Sequence, residues 1–209
     1  MMKISIVKFV LAGGRCYYGR TVDKKLREAL SRRQKRRITD AGKVPSAVLV
    51  PIYYKEGQCY ILFTQRTEKV KEHKGQISFP GGARQYGESL LEAALRESAE
   101  EIGLAPGEVK ILGELDDTVT AVSNYIVTPF VGLIPWPYKF KVDGWETGEI
   151  IEVPISVLLD KDSLRQETKI IDGQAVTSYF YHYQDRVIWG ATARILHQFL
   201  DIFAQAIKG

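Results

Sequence analysis

The stretch 94–104, ALRESAEEIGL, carries glutamates at positions 97, 100 and 101, spaced i, i+3 and i+4. On a helix the three carboxylates share roughly 100° of arc, and each like-charge pair costs an isolated helix about 0.2–0.5 kcal/mol. Two arrangements relieve that repulsion: solvent together with the neighbouring Arg96, or a cation held between the carboxylates. Hard divalent cations such as Mg²⁺ and Mn²⁺ take clustered oxygen ligands, so Glu97, Glu100 and Glu101 supply charge and geometry without rearrangement of a loop. An ordinary solvated acidic face is the alternative.

The element that must carry these groups is a helix over 89–102. Leu91, Leu95, Ser98/Ala99 and Ile102 recur at helical spacing, and Gly103 follows as a stop signal. A helical wheel places the glutamates well over 120° from the Leu91/Leu95/Ile102 stripe, so the carboxylates are expected to project together away from the core. Upstream, Pro80-Gly81-Gly82 lets the backbone turn sharply and approach a ligand closely, because glycine has no Cβ. Arg66, Lys69, Lys71, His73 and Lys74 crowd the loop running into that turn, a cradle for phosphate, although Lys69 and Lys74 serve equally well as solvated charges.

A chain of 209 residues, 45% hydrophobic and 26% charged, reads as one domain with terminal extensions. The net charge of +4 is too weak to argue for nucleic acid beside two dense carboxylate clusters, and it suits an anionic small-molecule substrate. Cys16 and Cys59 lack zinc-ligand or disulfide-framework spacing, which makes a reducing cytoplasm the expected compartment. Lys8 interrupts the apolar run of MMKISIVKFVLAGG, so the N-terminus reads as an edge strand in preference to a secretion signal. No uncharged apolar run approaches the ~18 residues of a membrane span.

A basic helix is expected over 23–38, its SRRQKRR segment read as a solvated face in preference to a nucleic-acid arm. SAVLVPIYY and CYILFTQR read as strands of a hairpin turned by KEGQ; further strands are expected at VKILGEL, YIVTPFVGLI, EIIEV, ETKIIDG and TSYFYHY. A short helical turn at PISVLLD and an amphipathic helix over 190–207 complete the chain. Strand-rich order with segregated helices argues for an α+β sandwich, with residues 1–44 as an extension and 45–209 as the domain.

Gly82, Glu88, Arg96, Glu97, Glu100, Glu101, Gly103 and Leu104 stand in the spacing G-x5-E-x7-R-E-U-x-E-E-x-G-U, where U is apolar. This resembles the Nudix box, with one departure: Ser98 occupies an apolar position, where its hydroxyl can bond back to a helix carbonyl. The resemblance implies a loop–helix–loop on an α/β/α sandwich with a mixed sheet. It also implies Mg²⁺ or Mn²⁺ on Glu97, Glu100 and Glu101, Arg96 orienting a catalytic Glu97, and hydrolysis of a nucleoside diphosphate linked to another moiety. Glu88 is placed one shell outside the metal ligands.

LFTQRTEKVKEHKGQISFPGG is in turn similar to the signature L-L-T-x-R-[SA]-x3-R-x3-G-x3-F-P-G-G of Nudix coenzyme A pyrophosphatases. It departs at Phe63, Thr67 and Lys71, the last keeping a charge but losing the planar fork of arginine. The resemblance implies coenzyme A as substrate, with Arg66, Lys71, Gly81 and Gly82 in binding and Arg66 above all recognising the 3′-phosphate; NADH or ADP-ribose is the rival substrate, a Nudix-fold module without turnover a further reading, and a homodimer the expected assembly if the chain self-associates. Glu149 in GEIIEVP is the candidate for a second catalytic acid on a distal loop, with Glu146 and Glu152 as near rivals. His182 and His197 read as structural, and no GxSxG stretch supports serine catalysis.

Overall fold

The computed structural model describes residues 17–67, 75–120, 123–171 and 173–208. The expected N-terminal strand, Cys16, and the loop residues Lys69, Lys71, His73 and Lys74 lie outside the described residues. In chain order the elements are α1 (Tyr17–Arg32), β1 (Val44–Lys55), β2 (Gln58–Arg66), β3 (Ile77–Ser78), β4 (Gly81–Ala83) and α2 (Leu90–Ile102). They continue with β5 (Lys110–Glu114), β6 (Thr118–Val119), β7 (Tyr125–Leu133), β8 (Thr147–Pro154), α3 (Ile155–Leu158), β9 (Leu164–Ile171), β10 (Gln174–Tyr183), β11 (Arg186–Ile188) and α4 (Gly190–Lys208).

Strands β1 to β8 form one mixed sheet, in which β1 runs parallel to β7 and antiparallel to β2 and β4. The β1–β2 turn is tight because Glu56 and Gly57 both take positive φ, the backbone that matches the twist of a two-residue hairpin. β1 is buried on both faces. Ala47, Leu49 and Tyr53 meet Ala93, Ala94 and Ile102 of α2, while Val50 and Ile52 meet the opposite layer, built from Val22, Leu26 and Leu30 of α1 and Leu196, Phe199 and Phe203 of α4. The result is the expected α/β/α sandwich. β9, β10 and β11 form a separate antiparallel sheet. No helix among the described residues is long and apolar enough to cross a membrane.

Two expectations change at the N-terminal side. The basic helix begins earlier than residue 23 and ends at Arg32, and its leucines at 26 and 30 enter the main core, so α1 packs as part of the sandwich rather than as an appendage. Beyond it part of the basic run is paired across the fold: Arg33 with Asp116 at 2.8 Å, Lys35 and the still exposed Arg37 with Glu114, and the Arg36 and Ile38 amides donate to Asp116 and Asp117. Those acids lie some eighty residues downstream, so the pairing that ends the helix is invisible to local pattern.

Candidate active site

Helix α2 is set by its ends. Ser89 accepts the Glu92 amide and Glu92 returns a bond to the Ser89 amide, a complete capping box, while Gly103 closes the helix at φ 68°. Its buried positions are Ala93, Ala94, Ser98, Glu101 and Ile102. The small alanines let the helix lie close on β1 and β4, so the inward stripe is centred on them, with Leu91 only partly buried at its edge and Leu95 outside it. This corrects the expected wheel: Glu101 lies on the inward stripe, only 7% exposed, whereas the Glu100 side chain is 59% exposed. Ser98 bonds back to the Ala94 carbonyl at 2.7 Å, as its hydroxyl allows.

Arg96 organises the outer carboxylates. Its Nε and Nη2 donate to both oxygens of Glu88 at 3.1 and 2.8 Å, its Nη1 to Glu97 at 2.7 Å and Glu100 at 3.2 Å, and its Nη2 to the Ala83 carbonyl at 3.1 Å. The bonds from Arg96, with the Gln85 amide, hold the Glu88 carboxyl down to about 2. Glu88 is thus the principal partner of Arg96, one step removed from the α2 glutamates that the same guanidinium holds.

Glu101 is the opposite case. Burial pushes its carboxyl up to about 8, and the negative charge of Glu97 adds to that; Arg66 and the Gly81 amide pull the other way, while Glu146 raises it further. Gly81 and Gly82 form the floor. A Cβ on Gly81 would stand 2.3 Å from the Ala47 carbonyl oxygen, so that position admits no side chain, and one on Gly82 would stand 2.5 Å from the Glu97 carboxylate and displace it.

The remaining candidates divide. Arg66 joins the cluster, with Nη2 3.5 Å from Glu146 and a buried Nε that has no partner among the described residues. Glu149 does not join it. The side chain lies two positions from Ile151, whose packing is on the α1/α4 face, and both its oxygens accept from Arg186 Nη2 at 2.9 and 3.0 Å. Glu152 is held by the Tyr53 hydroxyl and by Lys55 at 3.2 Å. Of the three acids weighed for the distal loop, Glu146 alone faces the acidic cluster. His197 bonds the Tyr181 hydroxyl at 2.7 Å and stacks on Tyr179, as a structural histidine does; His182 is exposed on β10.

Asp143, which sequence reasoning passed over, braces the segment that presents Glu146. Its carboxylate accepts the amides of Trp145, Glu146 and Thr147, and its own amide donates to the Glu101 carbonyl at 3.1 Å. The Asp143-Gly144 pair is the turn signal that could have revealed it.

Among the described residues no three histidine, cysteine, aspartate or glutamate side chains are gathered to hold a metal ion, because Arg96 draws Glu97 and Glu100 to itself. The donor chemistry nevertheless fits a hard cation. Glu88, Glu97, Glu100, Glu101 and Glu146 surround two guanidinium groups, those of Arg96 and Arg66, and among the described residues the buried Glu101 forms no ion pair. Oxygen donors with excess negative charge at a glycine-floored cleft are what a divalent ion requires.

Residues 43–173 match the family model of the NUDIX domain. The chain belongs to the Nudix family. The Nudix hydrolase NudL of Photorhabdus laumondii, described as uncharacterized, is 37% identical over 164 residues, covering 78% of this chain and 86% of that protein. NudL of Citrobacter koseri, described likewise, is 32% identical over 172 residues, covering 82% and 83%. The MutT/nudix family protein from Enterococcus faecalis has the same fold, with a TM-score of 0.55 at 14% identity over 92% of this chain and 75% of that one. This Nudix protein is accordingly a hydrolase of diphosphate anhydride bonds, in a family that uses divalent metal ions.

Proposed function

We propose that the chain hydrolyses the diphosphate of coenzyme A or its derivatives, releasing 3′,5′-ADP and 4′-phosphopantetheine. One observation carries the reading: both ends of the coenzyme A pyrophosphatase-like signature, Arg66 and Gly81-Gly82, meet at the acidic cluster of α2. Glu97, Glu100 and Glu101 would hold Mg²⁺ or Mn²⁺, Glu100 by leaving Arg96. When bound, the metal neutralises diphosphate charge and acidifies a coordinated water.

The chain's own groups do the rest. A water oxygen bonds to phosphorus, the bridging oxygen leaves with the other phosphate, and a carboxylate takes the water's proton. We assign that proton to Glu97, which Arg96 orients at 2.7 Å, with Glu146 in place of Glu149 as the second acid at the cleft. Gly81 and Gly82 let β4 lie directly against β1 and against the Glu97 carboxylate, which sets where that carboxylate stands.

A second reading, a different nucleoside diphosphate derivative, is favoured by the place of Arg66. Its position beside Glu101 and Glu146 supports reading Arg66 as a diphosphate contact in place of the 3′-phosphate contact expected from the coenzyme A resemblance. Coenzyme A, 3′-dephospho-coenzyme A, NADH and ADP-ribose, each incubated with Mg²⁺ and resolved by mass spectrometry, separate the two. Coenzyme A turnover is expected to yield 3′,5′-ADP; products from NADH or ADP-ribose alone would overturn the assignment. Arg66→Ala should lower kcat/KM about 10- to 150-fold on coenzyme A and its dephospho form alike, as loss of one charge-assisted bond predicts.

A further inference from the structure

The segment joining β7 to β8 holds one large aromatic side chain at the surface in a fixed backbone frame. Trp145 is 65% exposed. Its backbone is nevertheless bonded at both ends: its amide donates to the Asp143 carboxylate at 3.2 Å and its carbonyl accepts from the Thr67 hydroxyl at 2.5 Å. Around it, the Glu146 and Thr147 amides also donate to Asp143, the Thr67 amide donates to the Glu146 carbonyl at 2.8 Å, and the Asp143 amide is anchored on the Glu101 carbonyl. The indole therefore stands on a frame tied to the last turn of α2 on one side and to the end of β2, next to Arg66, on the other.

An exposed tryptophan needs no explanation by itself. What distinguishes this one is its immediate neighbour Glu146, which pairs with Arg66 and acts on Glu101, so the braced turn forms a rim of the candidate cleft. A rigid indole loses little conformational entropy on contact and offers a flat face to another flat ring. Charges at the cleft recognise the diphosphate but cannot sense what is attached to it; an aromatic surface can.

We propose that Trp145 is a specificity-determining residue, the stacking platform for the planar heterocyclic base of the nucleotide whose diphosphate lies at Arg66 and the α2 glutamates. The inference rests on the reading that the substrate is a nucleoside diphosphate derivative. It applies to coenzyme A and to its rivals equally, since all of them carry adenine.

The test uses the full chain with Trp136→Phe and Trp189→Phe, leaving Trp145 as the sole indole, in metal-free buffer. ADP should quench its emission saturably, whereas inorganic pyrophosphate, which has the phosphates but no base, should not. In the otherwise unaltered enzyme Trp145→Ala should raise KM about 5- to 150-fold with kcat little changed, the span expected for one lost base–aromatic stack, and Trp145→Phe should fall between. An unchanged thermal midpoint separates this from a structural role. Absence of ADP quenching, equal quenching by pyrophosphate, or an unaltered KM in Trp145→Ala overturns the proposal. Base-dependent quenching in a protein that turns over no coenzyme A leaves the platform standing and removes the coenzyme A reading instead.

Discussion

The two sides of helix α2 hold glutamates of the same type in contrasting states. On the Arg96 side, Glu88, Glu97 and Glu100 all draw bonds from one guanidinium, and Glu88 is held far below the ordinary carboxylate range. On the Arg66 side, Glu101 is buried against Gly81 with its carboxyl raised, and Arg66 is shared with Glu146. The first side is paired as it stands, whereas on the second burial and the charge of Glu97 disfavour the ionised carboxyl. The box in this chain therefore combines a corner that fixes the helix and a corner whose buried carboxyl is raised, with the charge of Glu97 acting on both.

Glu97 is where breaking the comparison should show the largest effect. Glu97→Gln removes a charge that faces Arg96 and, through space, Glu101. We expect kcat to fall on the order of 10²-fold or more with a far smaller change in KM, measured by steady-state kinetics, as for a group acting in the transition state. Near-wild-type turnover would make Glu97 part of the fixing corner alone.

Glu101→Gln should separate stability from function. The folded carboxyl is raised to about 8 against an ordinary value of 4.5, so the protonated form is favoured on folding. That contribution is fully present below about pH 4.5 and is lost as pH rises through about 8. In metal-free buffer the thermal midpoint of the wild type should decline across that window more than that of Glu101→Gln. Added Mg²⁺ or Mn²⁺ should raise the wild-type midpoint and leave the variant's unmoved, since only a ligand bound to the native state stabilises it. Equal metal-dependent shifts in both proteins would remove Glu101 from the site.

Arg96→Ala attacks the other corner. It strips four acceptors of their donor, and the expected loss is about 1–3 kcal/mol by denaturant unfolding at neutral pH. Glu88, with its carboxyl lowered to about 2, contributes stability above about pH 4.5 that disappears as pH falls toward 2. Acidification across that range should therefore destabilise the wild type more than Arg96→Ala; parallel acid profiles would show that the pairing contributes nothing to the fold.

What the sequence made legible follows the range of the interactions involved. The Gly103 stop of α2, the KEGQ hairpin and the Ser98 back-bond all depend on residues within four positions of one another, and each is found as expected. The rotation of α2 was hidden because Ala93 and Ala94 bury more deeply than Leu91 and Leu95: closeness of approach to β1 and β4 decides the inward stripe, and hydrophobicity alone does not record it. The end of α1 at Arg32 and the choice among Glu146, Glu149 and Glu152 depend on partners some thirty to a hundred residues away, namely Glu114 to Asp117, Arg66, Arg186 and Tyr53.

The smallest effect concerns Glu149, and it sharpens where the cleft ends. By position in the chain Glu149 and Glu146 are equivalent candidates, three residues apart on the approach to and start of β8. A strand alternates its side chains between faces, so Glu149 follows Ile151 toward the α1/α4 layer. There its carboxylate is 52% exposed and paired with Arg186 of β11. An exposed pair of this kind contributes about 0–1 kcal/mol, so Glu149→Gln should leave both stability and kcat/KM within about threefold of wild type, a change of under ~1 kcal/mol. Glu146→Gln, measured beside it, should reduce kcat/KM more, because that carboxylate sits opposite Arg66 and acts on Glu101. The reverse ranking would mean that the sheet face marked by Arg186, and not the braced turn after Asp143, supplies the second acid.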